Sequence, residues 1–155
     1  MTILRLKTTL NTSQNIPLEA EVVTPDRISG LKPAEVARLP VLSGNQSCQL
    51  GDFFDVAEDG SEAVTLEGDL RNVRRIGAGM KSGRIDIRGD AGMHLGAAME
   101  GGEILVSGST GDWTGAEMRG GIIHVKGNSG DGLGGAYRGS RHGMDRGMIL
   151  VEGNA

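Results

Sequence analysis

Gly92-Met93-His94-Leu95-Gly96-Ala97-Ala98-Met99-Glu100-Gly101-Gly102-Glu103-Ile104-Leu105-Val106 returns 19 residues later as Gly111-Asp112-Trp113-Thr114-Gly115-Ala116-Glu117-Met118-Arg119-Gly120-Gly121-Ile122-Ile123-His124-Val125. The same step carries Gly77, Gly96, Gly115 and Gly134, then Met80, Met99 and Met118, then Ile85, Ile104 and Ile123. After Gly134 seven residues are inserted, and the register resumes at Met144, Gly147, Ile149 and Val151. A fixed period of this length marks a repeat that cannot bury its apolar face alone and must stack on its neighbours.

The interior of the repeat chooses the architecture. Leucine-rich repeats have similar length but need a leucine-dominated motif and a helical return, and neither is present. Each repeat instead offers a short stretch with a branched aliphatic residue at every second position (Ile85-Asp86-Ile87, Ile104-Leu105-Val106, Ile123-His124-Val125, Ile149-Leu150-Val151), bracketed by glycines. Alternation of period two is the signature of a strand with one buried face. Strands in one orientation at every repeat stack about 4.8 Å apart. The expected fold class is all-β, a single-stranded right-handed parallel β-helix with a short N-terminal α+β lead-in.

In that arrangement residues 85/104/123/149 and 87/106/125/151 point inward, preceded by Val64 and Leu66. Asp86, Arg88, Ser107, His124, Lys126 and Glu152 face out. The methionines at 80, 99, 118 and 144 are expected to fill the interior, as methionine does in irregular cores, rather than to bind a soft metal.

Of 27 glycines, 23 lie from Gly68 onward. That shift divides the chain into residues 1–62, an N-terminal extension and cap, and residues 63–155, the repeat domain. In the extension Ile3-Leu4-Arg5-Leu6-Lys7 alternates like a strand, and Pro33 to Leu39 reads as a short helix with proline in its first turn, stopped by Pro40. Phe53-Phe54 is expected to plug the open end of the repeats, where strand edges need a cap.

A net charge of −4 removes any general expectation of nucleic-acid binding. No apolar stretch approaches a membrane span, and the single cysteine, Cys48, makes no internal disulfide. The expected location is the cytoplasm, with neither nucleic acid nor membrane as partner.

Catalytic constellations are not evident. His94, His124 and His142 occupy three different columns without metal-ligand spacing, and His94 falls beside Trp113 of the next repeat as an expected stacked surface pair. Cys48 has no neighbour in sequence to activate it. Asp52 with Asp55, and Glu58 with Asp59, read as solvated loop charge. Gly77-Ala78-Gly79 lacks the third glycine and the helix of a dinucleotide loop. The expectation is no catalytic residue, no metal ligand and no cofactor bound by this chain. The insertion is different, because Tyr137, Arg138, Arg141, His142, Asp145 and Arg146 concentrate cationic and aromatic groups on a loop, the composition of a partner interface. Gly77, Gly96, Gly115 and Gly134 are taken as structural glycines.

The two quoted repeats resemble the G-x-G-x-G repeat shared by the C subunit of formylmethanofuran dehydrogenase and the C-terminal domain of the glutamate synthase large subunit. Three features resemble the first more closely: Leu39-Pro40 followed by Gly51-Asp52-Phe53-Phe54-Asp55-Val56, the entry Ile76-Gly77-Ala78-Gly79-Met80-Lys81-Ser82-Gly83, and Arg141-His142-Gly143-Met144-Asp145-Arg146-Gly147. The resemblance runs from about Ile28 onward. It implies a non-catalytic structural subunit in tetrahydromethanopterin/methanofuran-linked one-carbon metabolism. Its partners would be the amidohydrolase-like and formyltransferase-like subunits of a dehydrogenase or a formyltransferase/hydrolase complex. A molybdenum or tungsten pterin would lie in partner subunits of the dehydrogenase type. The alternative is a free-standing glutamate synthase-type domain bridging an amidotransferase and an oxidoreductase. Members of the family continue for several more repeats beyond the point matching Ala155, so a truncated chain, or a homo-oligomer through the open end, is a further expectation.

Overall fold

The computed structural model describes residues 1–7, 17–138 and 142–155. Repeat strands form where the alternation predicts them: β6 (Val64–Glu67), β8 (Arg84–Arg88), β9 (Glu103–Val106), β10 (Arg119–Val125) and β11 (Arg146–Val151). The first part of the chain contributes β1 (Thr2–Leu6), β2 (Leu18–Glu19), β3 (Pro40–Ser43), β4 (Gln46–Gln49) and β5 (Phe54–Glu58), and β7 (Val73–Arg74) precedes the first full repeat.

A seven-stranded sheet runs in the order β11-β10-β9-β8-β6-β1-β5, and a four-stranded sheet in the order β4-β3-β2-β7. Within the larger sheet the repeats pair in parallel with Ile85 opposite Ile104, Ile104 opposite Ile123 and Ile123 opposite Ile149. The inserted residues are therefore absorbed without a slip of the apolar column. A slip by one residue would turn the whole column to water.

The expected fold class is corrected by these pairings. β5 runs antiparallel to β1, β2 and β4 both run antiparallel to β3, and the strands form no closed solenoid. The chain is a β-rich fold of two mixed sheets with a small helical part, which replaces the expected all-β class. The physical reason is local. The 19-residue period dictates direction and register only among the repeats, whereas the residues before Val64 carry no period, and their described strands pair antiparallel with one another as well as parallel to β6 and β7. Elsewhere in each repeat the chain turns through left-handed positions such as Gly77, Gly96 and Gly115, which interrupt extended backbone.

The described residues also form two short α-helices and a 3₁₀ turn at Leu50–Asp52. α1 (Pro25–Ile28) starts at Thr24, whose hydroxyl accepts from the Arg27 N–H at 3.2 Å. α2 (Pro33–Ala37) starts with proline, and its Glu35 carboxylate accepts from the Lys32 N–H at 3.3 Å. α1 is tied to the turn before β8, since Asp26 accepts from the Lys81 N–H at 2.9 Å and the Ser82 hydroxyl at 3.0 Å.

A single buried cluster runs from Leu4 and Val36 through Phe54, Val64 and Leu66 to Ile85, Ile104, Ile123 and Val125. Met80, Met99 and Met118 are fully inside it, and Met144 packs against it half-buried. Phe54 belongs to this core, while Phe53 is half-buried beside it.

Candidate interaction surface

The best-defined cluster of chemically active side chains lies on the turn side of the repeats, away from the long sheet. Arg75, His94 and Trp113 occupy one repeat position and all have left-handed backbone, with φ of 65°, 62° and 63°. Such angles are uncommon for residues other than glycine and cost about 1 kcal/mol or more each. Each is held by its neighbour: the Arg75 N–H donates to the Met93 carbonyl, the His94 N–H to the Asp112 carbonyl and the Trp113 N–H to the Asp131 carbonyl.

Tyr137, at the start of the insertion, folds back over this column. Its hydroxyl lies 2.8 Å from His94 Nδ1, and its ring centroid is 5.4 Å from that of His94 and 5.6 Å from that of Trp113. The Tyr137 N–H donates to Glu117 Oε1 at 3.1 Å. The expected stacking of His94 on Trp113 is thus replaced by two contacts through Tyr137. The register breaks immediately after Gly134 and frees Tyr137 from any column, and no signal in the sequence says where its ring then goes. Gly132 and Gly135 leave room for the Trp113 ring, because a Cβ on Gly132 would come within 2.8 Å of it.

Burial favours the neutral form of both side chains. Burial, then the Arg75 guanidinium, holds the His94 pKa below the ordinary imidazole value, and burial pushes the Tyr137 hydroxyl up. Arg75 Nε donates to Glu19 Oε2 at 3.1 Å, which anchors β2 to the column. In the Nε2–H tautomer of a neutral His94, Nδ1 accepts from the tyrosine hydroxyl.

Arg138 is exposed, and Arg141 lies outside the described residues. His142 is exposed. Asp145 and Arg146 are drawn into the repeat ladder: the Asp145 N–H donates to the Met118 carbonyl at 2.8 Å, and Arg146 pairs with Arg119 at the start of β11. His124 stands on the outward face of β10 with Nε2 2.9 Å from Glu152. Cys48 is half-buried in β4. Of the four repeat glycines, a Cβ on Gly77 or Gly96 would lie 2.6 Å from Ile104 or Ile123 respectively, whereas one on Gly134 would meet nothing closer than 3.4 Å.

Among the described residues no group of three or more His, Cys, Asp or Glu is placed to hold a metal, and no helix is long and apolar enough to cross a membrane. A cleft of about 470 Å³ between α1 and the first repeat turn is lined by Glu21, Thr24, Asp26, Arg27, Gly79 and Lys81. Asp26 is already committed there to Lys81 and Ser82.

No family model matches the chain. The C subunit of molybdenum-containing formylmethanofuran dehydrogenase 1 of Methanothermobacter marburgensis is 48% identical over 82 residues, 52% of this chain and 20% of that protein. The C subunit of tungsten-containing formylmethanofuran dehydrogenase 2 of Methanothermobacter wolfeii is 41% identical over 85 residues, 52% of this chain and 32% of that protein. The C subunit of the Fhc formyltransferase/hydrolase complex of Methylorubrum extorquens is 36% identical over 73 residues, 47% of this chain and 28% of that protein. The matched segments thus amount to between about a fifth and a third of the length of these relatives. Among solved structures, a chain of the Methylorubrum extorquens formyltransferase/hydrolase complex FhcABCD, crystallised with methylofuran, superposes with a TM-score of 0.87 at 32% identity, over 97% of this chain and 56% of that one. The resemblance to the C subunit carried by the repeats is shown by these relatives.

Proposed function

We propose that this relative of the C subunit is a non-catalytic structural component of a formylmethanofuran dehydrogenase or of a formyltransferase/hydrolase complex in methanofuran-linked one-carbon metabolism. The observation that carries the reading is the superposition on a chain of FhcABCD over 97% of the residues. Its chemistry is in keeping with that role. Titratable groups of the chain are engaged with one another, as in His94 with Tyr137 and Arg75 with Glu19, rather than converging on one reacting position. In this reading residues 1–62 serve as a cap and 63–155 as the repeat scaffold, and a pterin metal of the dehydrogenase type would be held by partner subunits.

Tyr137, Arg138, Arg141, His142, Asp145 and Arg146 are proposed to contribute to partner contact. The location proposed is the cytoplasm. The test is an assay of the purified chain alone for formylmethanofuran oxidation, formyl transfer and formyl hydrolysis. No turnover above buffer is expected. Turnover that a point substitution in this chain abolishes would contradict the reading.

A further inference from the structure

Arg75, His94 and Trp113 stand at a repeat position that the next repeat fills with Gly132, and all four are left-handed. Glycine adopts that backbone freely, whereas a larger residue persists there only where its surroundings hold it. The side chain of His94 is met by Tyr137, through the 2.8 Å hydrogen bond between Nδ1 and the phenol and through rings tilted at 51°. Tyr137 touches Trp113 as well, and Trp113 in turn packs beside Gly132 and Gly135. One phenol thus joins the turns of successive repeats, and all of these residues are half-buried.

The charged groups around His94 come from every element packed against it: Arg74 and Arg75 from the preceding turn, Glu19 from β2, Asp112 from the following turn, and Glu117 beside Tyr137. The carboxylates are already committed. Glu19 takes Arg75 at 3.1 Å and Arg74 at 4.0 Å, Asp112 Oδ1 accepts from the Asp131 N–H at 2.7 Å, and Glu117 Oε1 accepts from the Tyr137 N–H at 3.1 Å. Among the described residues none of the three is hydrogen-bonded to the imidazole. A proton on His94 would therefore set a cation near two guanidiniums with no carboxylate turned to it. The phenol, both donor and acceptor, could reverse its hydrogen bond to a protonated Nδ1, but the charge would still be half out of water.

We propose that His94 and Tyr137 form a pH-dependent clasp, closed on Trp113 while the imidazole is neutral and opened when the imidazole takes up a proton. The device belongs to this chain alone and goes beyond the assembly role proposed above. Opening lets the imidazolium reach water and move away from Arg75, and it costs the two ring contacts of Tyr137. Glu19 and Asp112 favour the charged form, but burial and the guanidiniums outweigh them and hold the His94 pKa below its ordinary 6.5. The closed form is therefore fully present above about pH 6.5 and is lost as pH falls through the lower folded value. Burial pushes the Tyr137 hydroxyl up, so the phenol keeps its proton throughout and His94 alone sets the switch. The one tyrosine and the one tryptophan of the chain both lie in the clasp, so their ring signals report on it without interference.

The test is nuclear magnetic resonance on the full chain, following the ring nitrogens of His94 and the Overhauser contacts between the Tyr137 and Trp113 rings from about pH 8 to about pH 5. At the upper end a proton on Nε2 and a bare, hydrogen-bonded Nδ1 are expected. The ring contacts should then disappear with the same midpoint as the protonation of His94, while the amide signals of β8, β9 and β10 stay in place. Tyr137→Phe, which keeps the ring and removes the hydroxyl, should move the His94 midpoint upward, because the neutral imidazole loses its hydrogen-bond donor. In His94→Asn the spacing of the Tyr137 and Trp113 rings should no longer change over this range. Ring contacts that persist once His94 is fully protonated overturn the clasp. So does their loss at the same midpoint in His94→Asn, a His94 midpoint unmoved by Tyr137→Phe, or a simultaneous collapse of the β8–β10 signals, which would make the event general unfolding.

Discussion

Ile104 and Ile122 are both isoleucines of the repeat ladder, yet one is fully buried and the other 43% exposed, and parity within the strand is the whole difference. Replacing Ile104 by Asp is expected to cost about 3–5 kcal/mol, since a carboxylate would enter the core without a partner. Chemical denaturation checks it, and an unchanged midpoint would contradict the placement of the column. The inward isoleucines were legible because the 19-residue step repeats them. The Tyr137 contacts were not, because the insertion removes that residue from every column and only the packed structure shows where its ring goes. His94 gives a second expectation. Its pKa is lower in the folded chain than the ordinary 6.5, so the unfolded chain binds more protons over that window. The contribution of neutral His94 is present above about pH 6.5 and is lost as pH falls through the folded value. Stability measured from about pH 8 downward should therefore decline less in His94→Asn than in wild type. An identical pH slope in the two proteins would contradict the lowered pKa of the half-buried imidazole.

At the scale of elements, β1 and α2 were visible from alternation in Ile3 to Lys7 and from proline at Pro33. α1 was missed, although Thr24-Pro25-Asp26 is a helix-start signal, because a helix of one turn leaves no apolar period to read. The mixed pairing of the sheets was also invisible. β1 sits between β6 and β5, parallel to one and antiparallel to the other, and nothing in a five-residue strand announces its neighbours. The tie between α1 and the repeats is testable by itself. Asp26→Ala removes the acceptor of the Lys81 N–H and the Ser82 hydroxyl, at an expected cost of about 1 kcal/mol. Hydrogen exchange should become faster at Lys81 while remaining unchanged in β9 and β10. Unchanged protection at Lys81 would show that Asp26 does not hold that turn.

Across the whole molecule, the cluster joining Leu4, Val36 and Phe54 to Ile123 and Val125 makes the first part of the chain and the repeats share one interior. The family resemblance was legible because glycine, methionine and isoleucine recur in step over three successive repeats. The cluster at Tyr137 could not be read from the period, because that residue lies in the insertion, outside the 19-residue step that sets Arg75, His94 and Trp113 in line. That this chain works inside a multi-subunit formyl-handling complex is tested by affinity purification of the protein from its own cells, with mass-spectrometric identification and stoichiometry of what is retained. Co-purification in fixed ratio with the other subunits of a formylmethanofuran dehydrogenase or formyltransferase/hydrolase is expected. Recovery of the chain alone, or in fixed ratio with an amidotransferase or another unrelated enzyme, would contradict it.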